Sequence, residues 1–442
     1  MQELDLALDI LNEVVDKKTP FNEALRQVFQ TNEALRPMRA NVAGLVGCEL
    51  RHHLLFAHLL RHLDVTEEEK RYVALCLSNQ YFFRHFEKDA VTEALKEKLG
   101  EKYAALEELL KDKPEANSLI PESIPHASNL YLSLRYNFPE WVLKVFEHYG
   151  YGATYKTIKK LSRPFTSVLR VKTSEIAMEE VLKDPEFAAL EGQKDLVEYH
   201  GKTSLKKNAL YRAGKLFDVK PLAHDLLAKH MVQAPQQITL YNGNADCGLE
   251  LDLLETYGKS VGMYLITPDT DKKIPVTKAI KEKDLKNVSF ASSENAGDIA
   301  SLISHPQDVI ICAPKSTNFD DIPTSPDYLL HFDKDGMDGV IENELVTLNN
   351  LAQFVEVGGK LIYVIFTISK KEGHGNVVKF LQTHPEFTLV EEKQHFPFDG
   401  LGTAAYVALF QKGEKELPIA PKPYELPETS GEASSVSASA KE

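Results

Sequence analysis

Cysteine is scarce in this chain: 442 residues contain four, and no two of them stand in the CxxC spacing of a zinc site or a redox pair. We therefore expect reduced thiols in a cytoplasmic protein, with no disulfide framework and no metal site. The sequence also lacks an apolar stretch of the roughly 18–20 residues that a membrane span needs. Its first residues have neither the basic segment nor the small-residue cleavage site of a secretory signal. We expect no membrane partner.

Positive charge is in deficit, because 51 Lys and Arg residues face 65 Asp and Glu residues and give a net charge of −14. Contacts to phosphate are electrostatic, so this balance counts against broad nucleic-acid binding and against DNA as a partner. Basic residues are nevertheless concentrated between 153 and 230, and a local basic face is compatible with an acidic chain. A solvated charged face without a binding role is an equally good interpretation. The candidate RNA-facing residues are Lys156, Lys159, Lys160, Arg163, Arg170, Lys206, Lys207 and Arg212.

Apolar periodicity divides the chain into dissimilar parts. Up to about residue 150, apolar residues recur at helical spacing and strand signals are nearly absent. From 236 onwards, short runs such as QITLYN, DVIIC and KLIYVIF alternate with helical stretches, which is typical of a doubly wound α/β sheet. Two late runs, FTLVEEK and AAYVALFQ, should add antiparallel strands at the sheet edge. The predicted parts are a helical domain (1–150), a basic connecting subdomain (151–235), an α/β domain (236–412) and a disordered tail (413–442).

Several motifs follow one another in a specific order. Residues 139–141 read PEW, residues 169–172 read LRVK, and residues 355–390 read VEVGGKLIYVIFTISKKEGHGNVVKFLQTHPEFTLV. In order and spacing they resemble motifs of the RsmB/NOP-type (Sun/Fmu) RNA cytosine-C5 methyltransferases, over nearly the whole chain. The resemblance implies a NusB-like helical domain followed by a Rossmann-like (class I) S-adenosylmethionine-dependent methyltransferase domain. It also implies RNA, in particular rRNA, as the partner.

The reaction of that family depends on two cysteines. One thiolate attacks C6 of cytosine, the methyl group is then added at C5, and the second cysteine helps to release the product. By the resemblance, the attacking position holds Phe366 and the second position holds Lys315. Neither side chain can supply a thiolate at neutral pH. Cys312 is no substitute, because a shift of three residues along a strand reverses the face and moves the group about 10 Å.

The loop of that family that binds the cofactor is also altered. Residues 240–250 (LYNGNADCGLE) match its "LDLCAAPGGKT", with Tyr241 in place of the aspartate and Asp246 in place of the proline. By the resemblance, an acid after the strand YLIT would contact the ribose hydroxyls and an acid after VSFAS would face the adenine. Solvated loop acids are the alternative interpretation, and the sequence leaves open whether S-adenosylmethionine is retained. The cofactor-binding candidates are Gly243, Gly248, Asp269 and Glu294.

Three functions are compatible with this pattern. The first is a catalytically inactive homologue that binds RNA or acts in ribosome assembly, since both catalytic thiols are missing while the scaffold is kept. The second is an active methyltransferase with altered chemistry. The third is a protein-interaction subunit, which the helical domain and the acidic charge would suit.

Overall fold

A computed structural model describes residues 2–30, 32–111, 116–230, 237–400 and 402–414. The chain forms two compact units. The helical unit comprises residues up to Phe146, Thr157–Ser167 and Asn318–Gly339, and the α/β unit comprises Glu147–Lys156, Val168–Thr317 and residues from Val340 on. The linear boundaries at 150, 235 and 412 remain a prediction. All but the first two residues of the predicted disordered tail lie outside the described residues.

The helical unit is built from amphipathic helices, and no strand occurs among the described residues before Ser167. In α1, Leu4, Leu8 and Leu11 are buried at helical spacing. The fifth helix starts at a capping box, in which Thr66 and Glu69 satisfy each other's backbone N–H groups. Its helices are α1 (Gln2–Asp16), α2 (Phe21–Gln30), α3 (Arg39–Leu50), α4 (His53–Leu60), α5 (Glu67–Ser78), α6 (Lys88–Leu99), α7 (Glu107–Leu110), α8 (Asn129–Tyr136) and α9 (Glu140–Phe146); α10 (Tyr151–Leu161) spans residues of both units.

A later segment, Asn318–Gly339, completes the helical unit. The carboxylate of Asp327 accepts a hydrogen bond of 2.9 Å from the backbone N–H of Phe21, at the start of α2. The ring of His331 donates to the carbonyl of Val14 over 2.7 Å. The sequence patterns gave no signal for this insertion, because its partners lie some 300 residues earlier in the chain.

The α/β unit begins with a four-stranded sheet in the order β2-β3-β1-β4. Its core consists of apolar side chains from all four strands, among them Leu169, Val197 and Leu216. The elements are β1 (Ser167–Val171), α11 (Met178–Val181), β2 (Phe187–Ala189), β3 (Leu196–Tyr199), α12 (Ala209–Arg212), β4 (Leu216–Asp218) and α13 (Pro221–His230).

A seven-stranded sheet follows, in the order β10-β11-β9-β8-β5-β6-β7. Neighbours from β9 to β7 are parallel, whereas β11 runs antiparallel to both β9 and β10. The predicted class I methyltransferase fold, with antiparallel strands added late, is confirmed. The elements are β5 (Gln237–Asn242), α14 (Gly248–Tyr257), β6 (Gly262–Thr267), α15 (Ile274–Glu282), β7 (Val288–Ser292), α16 (Ile299–Leu302), β8 (Gln307–Ala313), α17 (Tyr328–His331, in the helical unit), α18 (Met337–Ala352), β9 (Val355–Ile365), α19 (Asn376–Thr383), β10 (Phe387–His395) and β11 (Ala405–Lys412).

Alternating side chains of the central strands enter two apolar cores, one on each face of the large sheet. Leu240 and Ile311 belong to one core, while Tyr241 and Cys312 belong to the other. The strand order reverses between β5 and β8, and ligands of such sheets bind outside the carboxyl ends of the strands at this point. No helix among the described residues is long and apolar enough to cross a membrane.

Candidate functional site

The loops after β5 and β8 touch each other at the reversal point of the sheet. The backbone N–H of Gly243 donates to the carbonyl of Ala313 over 2.8 Å. A Cβ atom at Gly243 would lie 2.5 Å from the backbone nitrogen of Lys315, which no real side chain tolerates. Two predicted site residues, Gly243 and Lys315, are therefore adjacent. The glycine is required by this close approach of the two backbones.

Gly248 stands at the first position of α14. Its N–H donates to the carboxylate of Asp246 over 3.2 Å. A Cβ atom here would lie 3.1 Å from the carbonyl oxygen of Asp218, the residue that ends β4. Close packing of Gly248 against the backbone at the end of β4 therefore explains why this position holds a glycine.

Asp269 and Glu294 follow β6 and β7, which are neighbours in the sheet; Asp269 is half-buried and Glu294 is exposed. The loops that carry them are joined by a hydrogen bond of 3.1 Å from the Thr270 N–H to the Ser292 hydroxyl. Asp269 accepts from the Asp271 N–H over 3.0 Å, and the Lys272 ammonium, also at 3.0 Å, keeps the pKa of Asp269 below its ordinary value. The two carboxylates are chemically suited to the hydroxyl and amino groups of a nucleoside.

A buried polar network that the sequence analysis missed lies beneath the loop after β5. Lys273 and Glu250 are 2% and 1% exposed and form an ion pair of 2.5 Å. Asn242 donates to the other carboxylate oxygen of Glu250 over 2.9 Å. Burial raises the pKa of Glu250, and the ammonium of Lys273 opposes this shift. The charges at this point satisfy each other within the protein.

The side chain of Asn244 lies across the ends of β5 and β8 and is 5% exposed. Its amide nitrogen donates to the side-chain oxygen of Asn242 over 3.1 Å and to the carbonyl of Ala313 over 3.4 Å. The side-chain oxygen of Asn244, by contrast, is buried and has no hydrogen-bond partner among the described residues. The acids after β6 and β7 fit the nucleoside half of S-adenosylmethionine, and at the reversal point most polar groups of the loop bind one another, with the Asn244 oxygen as the exception.

Phe366 follows β9 and is 1% exposed, within an apolar core of the sheet. The ammonium of Lys220 lies 3.8 Å from the centroid of its ring. The position that the resemblance gives to the attacking thiol is thus filled by a ring and covered by a cation. Lys220 was not among the predicted site residues.

The remaining predicted positions on neighbouring strands differ in exposure. Lys315 has an exposed side chain just after β8. Cys312 is fully buried in the core on the opposite face of the sheet from Phe366, and burial raises the pKa of its thiol far above the ordinary value. A buried, protonated thiol is inert. Among the described residues, no group of three or more His, Cys, Asp and Glu side chains is placed to hold a metal ion.

A second buried network joins the segments after β8 and β9. Glu372 accepts hydrogen bonds from the backbone N–H and the hydroxyl of Thr317, at 2.8 and 2.7 Å, and from the hydroxyl of Thr367 at 3.0 Å. Burial and the neighbouring Glu372 raise the pKa of Glu344 well above its ordinary value, and burial also raises the pKa of Glu372. Each of these carboxyl groups therefore keeps its proton to a higher pH than an ordinary glutamate does.

The predicted basic residues fall into both units. Arg170 requires a correction, because it is 5% exposed and forms ion pairs with Asp252 and, at 3.2 Å, with Asp195. Its guanidinium is a structural partner of buried acids and cannot face RNA. The other seven side chains are exposed: Lys159, Lys160 and Arg163 in the helical unit, and Lys156, Lys206, Lys207 and Arg212 in the α/β unit.

No family model matches the sequence. A segment of 64 residues is 39% identical to the ribosomal RNA small subunit methyltransferase B of Thermus thermophilus, and it spans 14% of this chain and 16% of that protein. The likeness to this curated relative is therefore local.

Solved structures share the fold over much greater lengths. The protein PH0851 superposes with a TM-score of 0.70 at 15% identity, over 93% of this chain and 98% of its own. A methyltransferase homologue from Pyrococcus horikoshii has a TM-score of 0.53 at 13% identity, over 64% of this chain and 98% of its own. NSun6 of the same organism, solved with SFG, has a TM-score of 0.52 at 13% identity, over 63% and 99%. The local identity, the shared fold and the ordered motifs together confirm the resemblance of this chain to the RsmB/NOP-type RNA methyltransferases.

Proposed function

We propose that this chain is an RNA-binding homologue of the rRNA cytosine-C5 methyltransferases that does not perform the two-cysteine reaction. The observation that carries the proposal is the place of Phe366, a buried ring under the ammonium of Lys220. Covalent attack on C6 needs a thiolate with access to the base, and this position offers neither. Lys315, at the second position, does not supply a thiol either.

The exposed basic side chains support RNA as the partner. Seven such side chains are exposed on a chain with a net charge of −14. An acidic protein binds phosphate groups through local cations of this kind. A relative with local identity acts on ribosomal RNA by its name. RNA bound through such contacts should be released by salt.

The test combines two measurements on the full chain. We expect purified protein to transfer no labelled methyl group from S-adenosylmethionine to total RNA from a strain that lacks the gene. The same preparation should bind that RNA with an affinity that falls steeply with salt. Labelled 5-methylcytosine in the RNA would overturn the proposal of inactivity, and failure to bind RNA at low salt would overturn the proposed partner.

An active methyltransferase with different chemistry is the second candidate, and the neighbouring acids Asp269 and Glu294 favour it. Calorimetric titration with S-adenosylmethionine and S-adenosylhomocysteine distinguishes the two functions. Micromolar binding that Asp269→Asn weakens would favour the active enzyme. The absence of binding at millimolar ligand would exclude S-adenosylmethionine as its methyl donor. A matched control is Asp271→Asn, since this neighbouring acid binds Asp269 only through its backbone N–H.

A further inference from the structure

A cavity of about 390 Å³ lies wholly within the helical unit. Its charged lining residues come from three separate helices and the turns that follow them, and all of them are cationic. Two other cavities of the protein are lined by both carboxylates and cations. The residues that line the cationic cavity are Arg51, His52, Leu55, Phe82, Ile120, Arg135, Tyr136, Lys159, Ser162 and Arg163.

The two inner arginines are positioned by contacts with the protein. The guanidinium of Arg51 donates to the carbonyl of Pro323 over 2.9 Å, a neutral group that leaves its charge in place. Arg135 donates to the hydroxyl of Tyr131 over 3.2 Å and lies 5.4 Å from the ring centroid of Tyr136. A positioned guanidinium is the side chain best suited to a phosphate group.

Aromatic rings form another part of the wall. His52 and Phe82 are stacked, with centroids 3.5 Å apart and planes inclined by 15°. The ring of His52 donates to the carbonyl of Cys48 over 2.8 Å, and burial lowers its pKa, so the ring is neutral at neutral pH. Flat apolar faces beside cations are what a nucleotide requires, since its base stacks while its phosphate is held.

We propose that this cavity binds one phosphate-bearing nucleotide unit of a single-stranded RNA, with Arg51, Arg135, Lys159 and Arg163 as the phosphate ligands. The inference deepens and rests on the proposed RNA binding, and it gives that binding a specific site. The volume falls within the range of about 300–1,000 Å³ typical of ligand pockets. A free nucleotide offers the same phosphate chemistry, so the experiment must separate it from RNA.

Helix α10 and the turn after it supply the test positions, and α9 supplies a matched control. Lys159 and Arg163 line the cavity, whereas Lys144 is exposed, does not line it and is not one of the predicted RNA-facing residues. Lys159→Gln, Arg163→Gln and Lys144→Gln each remove one positive charge from the full chain. We expect each cavity variant to weaken binding of a short labelled single-stranded RNA about tenfold, and the control less than about twofold. The slope of the logarithm of the RNA binding constant against the logarithm of the salt concentration should become shallower by about 0.7 for each lost contact.

Competition with AMP and with inorganic phosphate identifies the source of the phosphate. Displacement of RNA by AMP in the parent protein, with weaker AMP binding in both cavity variants, supports the site. AMP binding that depends on the cavity, without any RNA binding, would overturn the proposed function but keep a mononucleotide site. Equal RNA binding by all three variants would overturn the inference and leave diffuse RNA binding intact. Thermal melting and the fluorescence of Trp141, the sole tryptophan, verify that each variant is folded.

Discussion

The ammonium of Lys220 lies 3.8 Å from the ring centroid of Phe366, at the place where the resemblance expects a catalytic thiol. A cation over a desolvated aromatic ring contributes on the order of 1–2 kcal/mol. The ring itself is 1% exposed and belongs to the core of the sheet. Returning a cysteine to this position therefore means removing part of the core.

Phe366→Cys should lower the free energy of unfolding by about 3 kcal/mol, because it opens a cavity where a buried ring was. It should also leave RNA without labelled methyl groups, since Lys315 and the polar loop after β5 are unchanged. Urea denaturation and the methyl-transfer assay measure the two effects. The control is Phe398→Cys, where the parent ring is 36% exposed and the loss should stay near 1 kcal/mol. Equal stability of Phe366→Cys and the parent would show that the ring is not part of the core.

Arg170→Ala should destabilise the protein by about 3–5 kcal/mol, because it leaves Asp252, 1% exposed, without its guanidinium partner. His224 remains 3.0 Å from the same carboxylate and should recover part of the loss. Chemical denaturation measures the effect. Lys206→Ala, at an exposed position, should change stability by less than about 0.5 kcal/mol. RNA affinity that falls in Arg170→Ala at a temperature where the protein is folded would restore Arg170 as an RNA contact.

Lys273→Met should destabilise the protein by about 3 kcal/mol, since Glu250 is then buried without a cation. The folded-state pKa of Glu250, already raised, rises further, so the loss should grow as pH increases from about 5 to about 8. Unfolding curves at several pH values measure it. Lys272→Met is the matched control, because the neighbouring lysine is 79% exposed. The double variant Glu250→Gln with Lys273→Met should recover much of the stability. A loss equal to the sum of the losses in the two single variants would contradict the pairing.

Glu344→Gln should raise the melting temperature at about pH 8 by roughly 2–4 °C, with a smaller gain at about pH 5. The pKa of Glu344 in the folded protein lies well above its ordinary value of 4.5. The contribution of Glu344 to stability is therefore complete at pH values below its pKa in the unfolded chain. It is lost as the pH rises through its pKa in the folded protein. Glutamine keeps an oxygen that accepts from Tyr363 and Asn376 and has no proton to lose.

Glu342→Gln, at an exposed position of the same helix, serves as the control and should show no such pH dependence. A gain that is equal at both pH values would mean that the Glu344 variant acts through packing.

The architecture could be predicted from local patterns, because helical and strand periodicities are written in consecutive residues. The identification of Phe366, after β9, with the position of the attacking thiol followed from the resemblance of the ordered motifs. The burial of Arg170 could not be predicted, since a basic residue in a strand shows nothing of Asp252, which lies 82 residues later. The pairing of Lys273 with Glu250 is equally invisible, because the two residues lie 23 positions apart and no sequence pattern joins them. Such polar contacts depend on tertiary packing, which one sequence does not display.

The order of strands in the large sheet has a consequence for synthesis on the ribosome. Among the strands in the described part of the chain, β11 is made last, and it lies between β9 and β10 and is hydrogen-bonded to both. Until residue 412 has been added, β9 presents an open edge to solvent, and such edges are templates for pairing with other chains. The incomplete domain should therefore depend on chaperones, or on a low rate of collision with other chains, until β11 pairs with β9 and β10.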